Sequence, residues 1–190
     1  MEDLERLLDQ VRGCRACQEH LPLGPRPVLQ ISPTARILIA SQAPGTKVHE
    51  TGIPFTDASG DRLREWMGVT KEEFYDARRV AIVPMGLCYP GRGASGDAPP
   101  RAECAPLWRS RLLAHLTDLK LTLLVGSYAQ VEHLGRGPMT ERVRDFRHHL
   151  PAVLPLPHPS WRAQVWMKRN PWFEADVLPA LREAVRKALA

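Results

Sequence analysis

Four short runs of aliphatic residues, each soon followed by glycine or proline, constrain this chain more than any other feature. They are Arg36-Ile-Leu-Ile-Ala40, Val80-Ala-Ile-Val83, Leu121-Thr-Leu-Leu-Val125 and Ala152-Val-Leu-Pro-Leu156. Short, continuously apolar segments of this kind read as strands buried on both faces. Helical patterns lie between them at Ser59–Met67, Arg101–Leu116 and Tyr128–Leu134. An amphipathic helix opens the chain over Met1–Val11, with Leu4, Leu7, Leu8 and Val11 on one face. Another closes it over Phe173–Leu189, where Val177, Leu178, Leu181, Val185 and Leu189 share a face. Strands alternating with helices predict an α/β fold: a three-layer α/β/α sandwich around a four-stranded, mainly parallel sheet. With no internal repeat and no linker, residues 1–190 are expected to form one domain.

In such sheets ligands bind beyond the carboxyl ends of the strands. That rule selects three loops: Ser41–Phe55, Pro84–Gly96 and Pro157–Trp161. The first holds Ala43-Pro44-Gly45, His49 and Gly52-Ile-Pro-Phe55, and Ser59-Gly60 follows. Glycine and proline there allow a shaped backbone to approach a ligand closely. Phe55 is either a core residue or a platform on which a planar base stacks. The third loop reads Pro157-His158-Pro159-Ser160-Trp161-Arg162. A histidine between two prolines has little backbone freedom, which suits a group held in one orientation; a capped structural histidine is the other reading. Trp161 and Arg162 suit stacking and phosphate pairing, or packing and a solvated surface.

The formal net charge is +5, and most of the 26 basic residues are arginine. The excess favours a polyanionic partner without establishing one. No run approaches the length of a membrane span and no targeting pattern is seen, so a cytoplasmic location, with no membrane partner, is the expectation.

The chain has four cysteines, arranged as Cys14-x2-Cys17 and Cys88-x15-Cys104. Paired soft thiolates point to a tetrahedral metal or an iron–sulfur cluster. A disulfide framework belongs to short secreted chains instead. Spacing alone leaves zinc and iron–sulfur both open.

Taken in order, the strand ending in Ser41-Gln42-Ala43-Pro44-Gly45, the Gly52-Ile-Pro-Phe55…Ser59-Gly60 run and the late His158-Pro159-Ser160 resemble the uracil-DNA glycosylase superfamily. The cysteine spacing resembles its iron–sulfur branch, the family 4 enzymes. The resemblance runs from about residue 10 to 165. It implies a base-excision enzyme that flips a deaminated base out of DNA and hydrolyses its N-glycosidic bond, and that acts as a monomer. It also implies a [4Fe–4S] cluster on Cys14, Cys17, Cys88 and Cys104. Phe55 would stack on the base, and His158 would donate a hydrogen bond to charge developing on the base carbonyl. Gln42 would join His158 and His49 as a catalytic residue, the backbone of Gln42, Ala43 and Gly45 lining the pocket and positioning the attacking water, with Pro44 beside them. Ser160, Trp161 and Arg162 would press on the strand, and Arg92, in the Cys88–Cys104 segment, would meet the backbone.

Three positions depart from the family pattern. Ser41-Gln42 stands where a Gly-Glu pair is usual, and His49 where an acidic residue is usual. Pro84 stands where an asparagine reads the base edge. His49, as a neutral imidazole, is therefore expected to orient water, and base choice at Pro84 to be altered or relaxed. Asn170 is a candidate reader if the fold brings it to the site. An inactive nucleic-acid-binding relative that kept the cluster is the alternative these departures raise.

Overall fold

The computed structural model describes residues 3–94 and 96–190. Met1 and Glu2, at the start of the predicted first helix, and Ser95, in the second predicted loop, lie outside them. Helix α1 (Leu4–Arg12) leads through a short 3-10 turn at Gln18–His20 to strand β1 (Ile37–Ala40). Helices α2 (Thr46–Thr51), α3 (Ala58–Met67) and α4 (Lys71–Tyr75) precede β2 (Val80–Ile82). A small hairpin, β3 (Arg92–Gly93) and β4 (Gly96–Asp97), precedes α5 (Cys104–Leu113) and β5 (Leu121–Val125). Then come α6 (Ser127–Leu134), α7 (Met139–Arg144), β6 (Val153–Leu156), α8 (Trp161–Arg169) and α9 (Leu178–Leu189).

The main sheet has the order β2-β1-β5-β6, and every pairing in it is parallel. All residues of β1, β2 and β5 are buried, as continuous apolar runs require. Alternation along each strand sorts them between two helical layers. Ile37 and Ile39 join Val80, Ile82, Leu121, Leu123, Leu154 and Leu156 on one face, under α3, α4, α7 and α9. Leu38 and Ala81 face α1 and α5 on the other, and Ala40 and Leu124 face Ala129 of α6. This is the expected α/β/α arrangement. Pro155 is tolerated because β6 is an edge strand, where one side of the backbone needs no ladder partner. At the opposite edge Gln30 makes an antiparallel bridge to Ile82, and its amide donates to the carbonyls of Phe74 (3.0 Å) and Val80 (2.7 Å). That cover blunts the exposed edge of β2.

The differences from expectation are local. The closing helix begins with a π-helical turn at Phe173–Val177 before α9 becomes regular. The predicted Arg101–Leu116 helix contracts to α5. Short helices α2, α4 and α7 and the β3–β4 hairpin carry too few periodic residues to stand out in sequence, and α8 buries only Ala163, so it shows little apolar period. Among the described residues no helix is long and apolar enough to cross a membrane.

One contact between α3 and the loop before it is unusually tight. A Cβ on Gly60 would lie 1.8 Å from the Phe55 carbonyl oxygen and 2.6 Å from its carbon. Backbone atoms cannot yield as a flexible side chain does. Gly60→Ala should therefore destabilise the protein by about 3 kcal/mol, lowering Tm by roughly 6–12 °C in a chain of this size. Gly13→Ala is the control, since its Cβ would meet nothing closer than 3.4 Å; thermal melts of the two variants test the contrast.

Candidate active site

The loops that follow β1, β2, β5 and β6 surround a cavity of about 560 Å³ at the carboxyl ends of the strands. That is the place and the size expected for a small-molecule or base site. Gln42, Ala43, Pro44 and Gly45 line it from the first loop, with Phe55 and Asp57 beyond them. Pro84 comes from the second loop and His158, Ser160, Trp161 and Arg162 from the last. Asp97 reaches it from the β3–β4 hairpin, and Ser127 and Tyr128 from the start of α6. The first two loops are stitched by backbone bonds from Met85 N–H to the Ser41 carbonyl (2.8 Å) and from Gly86 N–H to the Gln42 carbonyl (2.9 Å).

Phe55 is both core and cavity wall. Its ring packs edge-on to Phe74 with centroids 6.2 Å apart, and the residue is buried while bordering the cavity. Its backbone takes φ = 53°, the one left-handed non-glycine residue among those described. Such a conformation persists only where surroundings over-determine it. Here the Tyr75 hydroxyl donates to the carbonyls of Pro54 and Phe55 (3.0 Å each), and Arg64 Nη1 donates to the Phe55 carbonyl at 3.3 Å. Tyr75 and Arg64 carry no sequence signal for this work.

His158 sits half-buried on the cavity wall. Gly126 takes φ = 88° where β5 turns into α6, a left-handed backbone that favours glycine, and it packs beside His158. The chain beyond is clamped by Arg62, whose Nη1 donates to the carbonyls of Pro159 and Ser160 at 2.8 Å each. Burial pushes the His158 pKa below its ordinary value, and the negative charge of Asp57 only partly offsets this. The imidazole is therefore neutral at pH 7 and able to donate one N–H.

Other expected residues have different surroundings. His49 is not on the cavity wall. Its ring lies 6.2 Å from that of Tyr89, and its buried Nδ1 has no hydrogen-bond partner among the described residues. In this placement α2 sets the His49 ring toward Tyr89, and the water-orienting role expected of it has no cavity contact to rest on. Gln42 borders the cavity, but its amide Nε2 donates to the Ala98 carbonyl at 3.0 Å, tying the first loop to the hairpin. Asn170 is not a base reader either, because it ends α8 and donates to the Trp166 carbonyl at 2.8 Å. Pro84 does line the cavity and brings no side-chain hydrogen bond to it. Trp161 is 68% exposed at the rim with the Arg162 guanidinium 5.2 Å over its ring. Arg92 is exposed on the hairpin outside the cavity lining.

Two carboxylates in the cavity escaped sequence reasoning. Asp57 caps α3, its Oδ1 accepting from Gly60 N–H at 3.1 Å. Its position before a helix signals a cap and nothing more. Asp97 sits in a Gly- and Pro-rich segment with no pattern, and burial raises its pKa above the ordinary carboxylate value.

The two cysteine pairs, 71 positions apart from Cys17 to Cys88, line one small void together with Leu87, Leu107 and Trp108. None is in a disulfide. Trp108 Nε1 donates to Cys14 Sγ and Leu87 N–H to Cys104 Sγ, both at 3.3 Å. Burial pushes the thiols of Cys88 and Cys104 up to about 12 and about 11. Among the described residues no three His, Cys, Asp or Glu side chains are arranged to hold a single ion.

A protein-family model described as the Uracil DNA glycosylase superfamily matches residues 29–182. The matched span includes every strand of the main sheet and the residues lining the cavity except Val28. It includes Cys88 and Cys104 but begins after Cys14 and Cys17. With the parallel sheet, the strand-end cavity and this match across most of its length, the chain belongs to the uracil DNA glycosylase superfamily, whose proteins act on DNA.

Proposed function

We propose that the protein is a monofunctional DNA glycosylase that hydrolyses the N-glycosidic bond of a flipped uracil, or of another deaminated base, and leaves an abasic site. The observation carrying this reading is that Phe55 and His158 border one cavity of about 560 Å³. A stacking ring and a neutral hydrogen-bond donor are the two groups base departure calls for. The sugar becomes oxocarbenium-like as the bond breaks, and the base leaves as an anion. A donor held in place beside the base carbonyl stabilises that anion more than the ground state. His158 meets the condition of preorganisation, since Pro157, Pro159 and the Arg62 clamp fix its chain. A neutral imidazole N–H suffices, and its depressed pKa keeps it in that form at neutral pH.

Deamination turns an exocyclic amine into a carbonyl, whether the product is uracil, hypoxanthine or xanthine. His158 would address that shared group. Pro84 reads no base edge, so discrimination among the three would rest on cavity shape and backbone groups. Ser160, Trp161 and Arg162 on the rim, with Arg92 on the hairpin, would take the strand backbone. The protein would act as a monomer in the cytoplasm.

Cys14, Cys17, Cys88 and Cys104 fit a [4Fe–4S] cluster. All four border one void, two receive N–H bonds at sulfur, and none is paired as a disulfide. The cluster would supply structure there, tying the N-terminal segment to both ends of the 88–104 segment.

Duplexes bearing uracil, hypoxanthine or xanthine, treated with alkali after incubation, should be cut at the lesion. His158→Ala should slow single-turnover abasic-site formation by roughly 100- to 1,000-fold. DNA that is bound but never yields an abasic site would support the inactive relative instead. Protein purified without oxygen should contain iron and acid-labile sulfide in equal amounts. Cys17→Ala should lose both and melt at a lower temperature; zinc in place of iron would overturn the cluster.

A further inference from the structure

Hydrolysis needs a group that holds and deprotonates water opposite the departing base. The first loop brings no carboxylate to the cavity: Gln42 is an amide, and neither His49 nor Glu50 lines it. Two carboxylates do reach the cavity, Asp57 and Asp97. Asp57 is already engaged: its Oδ1 takes the Gly60 N–H as the cap of α3. It is also the charge that acts on His158. Asp97 is not engaged in this way. Among the described residues no hydrogen bond or ion pair holds its carboxylate, and its nearest charged influences are Arg92, which attracts, and Asp57, which repels.

The hairpin is held where Asp97 faces the cavity. Ala98 N–H donates to the Gly91 carbonyl at 2.8 Å, and the Ala98 carbonyl accepts the Gln42 amide at 3.0 Å. Oδ2 of Asp97 lies 3.3 Å from the place a Cβ on Gly45 would take, so the carboxylate rests against the bare first loop. Across the rim, the Arg162 guanidinium lies 3.5 Å from the corresponding position on Gly96. The latch requires a donor at residue 42. A glutamate there would set its carboxylate against the Ala98 carbonyl and push the hairpin away.

On the reading of this cavity as a glycosylase site, we propose that Asp97 is the residue that orients and deprotonates the attacking water, and that Gln42 is its positioning residue, holding the hairpin against the first loop. The C1′–N bond breaks with its electron pair going to the base, whose carbonyl accepts the His158 hydrogen bond. The water oxygen bonds to C1′ and its proton passes to Asp97. The base anion takes a proton from solvent, and Asp97 returns its proton to solvent. A carboxylate pKa raised by burial suits a proton acceptor better than an ordinary one does.

The test is single-turnover abasic-site formation on the best of the three duplexes. Asp97→Asn should slow the chemical step about 100-fold or more while duplex affinity and Tm stay at parental values. Asp97→Ala should regain rate on adding formate, and Asp97→Glu should retain part of it. The parental rate should fall on acidification as Asp97 protonates, and Asp97→Asn should lose that limb. The other charged groups facing Asp97, namely Arg92, Arg162, Asp57 and His158, remain in every variant. Gln42→Glu should lower the rate and expose the hairpin to trypsin at Arg92. An Asp97→Asn variant that cleaves at the parental rate overturns the assignment of Asp97 alone. Gln42→Glu with parental rate and parental trypsin resistance overturns the latch. A parent that releases none of the three bases overturns the glycosylase reading and this inference together.

Discussion

The Phe55 carbonyl occupies the space that a side chain on residue 60 would need, and much of the cavity is arranged around that contact. The left-handed turn at Phe55 points its ring edge-on to Phe74, along the boundary between core and cavity. Three groups oppose relaxation of the turn. Tyr75 and Arg64 hold its carbonyl, and Asp57, two residues on, caps the helix that Gly60 enters. Strain of this kind, of order 1–3 kcal/mol for a non-glycine residue, is sustained because α3 and α4 are themselves packed on the sheet through Leu63, Trp66 and Phe74. A cavity wall built this way is held from several sides.

A second constraint reaches the cavity from the opposite side. Cys88 and Cys104 bracket the segment that carries the β3–β4 hairpin, and both meet Cys14 and Cys17 across one void. The packing around that void holds both ends of the segment that carries Asp97. Gln42 then fastens its return strand to the first loop. The cysteine void thus bears on the cavity through the placement of a loop.

Much of the architecture was legible in the sequence. Strands buried on both faces need no partner to be recognised, because a continuous apolar run between glycine and proline breaks has few other solutions. The strand-end rule then selected the three loops that meet at the cavity, and with them Phe55 and His158. The small elements were not legible. A five- or six-residue helix such as α2 or α4 spans fewer than two turns and shows no period. The direction of His49 depends on how α2 rolls against Tyr89, a packing outcome invisible in the local sequence.

By itself the amino-acid order determined the layered α/β/α sandwich, the end of the sheet where the cavity opens, and the two cysteine pairs as candidate soft ligands. These follow from short-range causes: side-chain period, backbone breakers and thiol chemistry. Only the tertiary structure decided which polar groups enter the cavity. Asp57 and Asp97 are 40 positions apart and on different elements. Arg62 reaches the His158 loop across 97 and 98 positions of chain, and Gln42 spends its amide on a carbonyl 56 residues away. Hydrogen bonds and desolvation act through space, so their partners are chosen by the packed fold, and the residues that hold a site together need bear no mark of it in sequence.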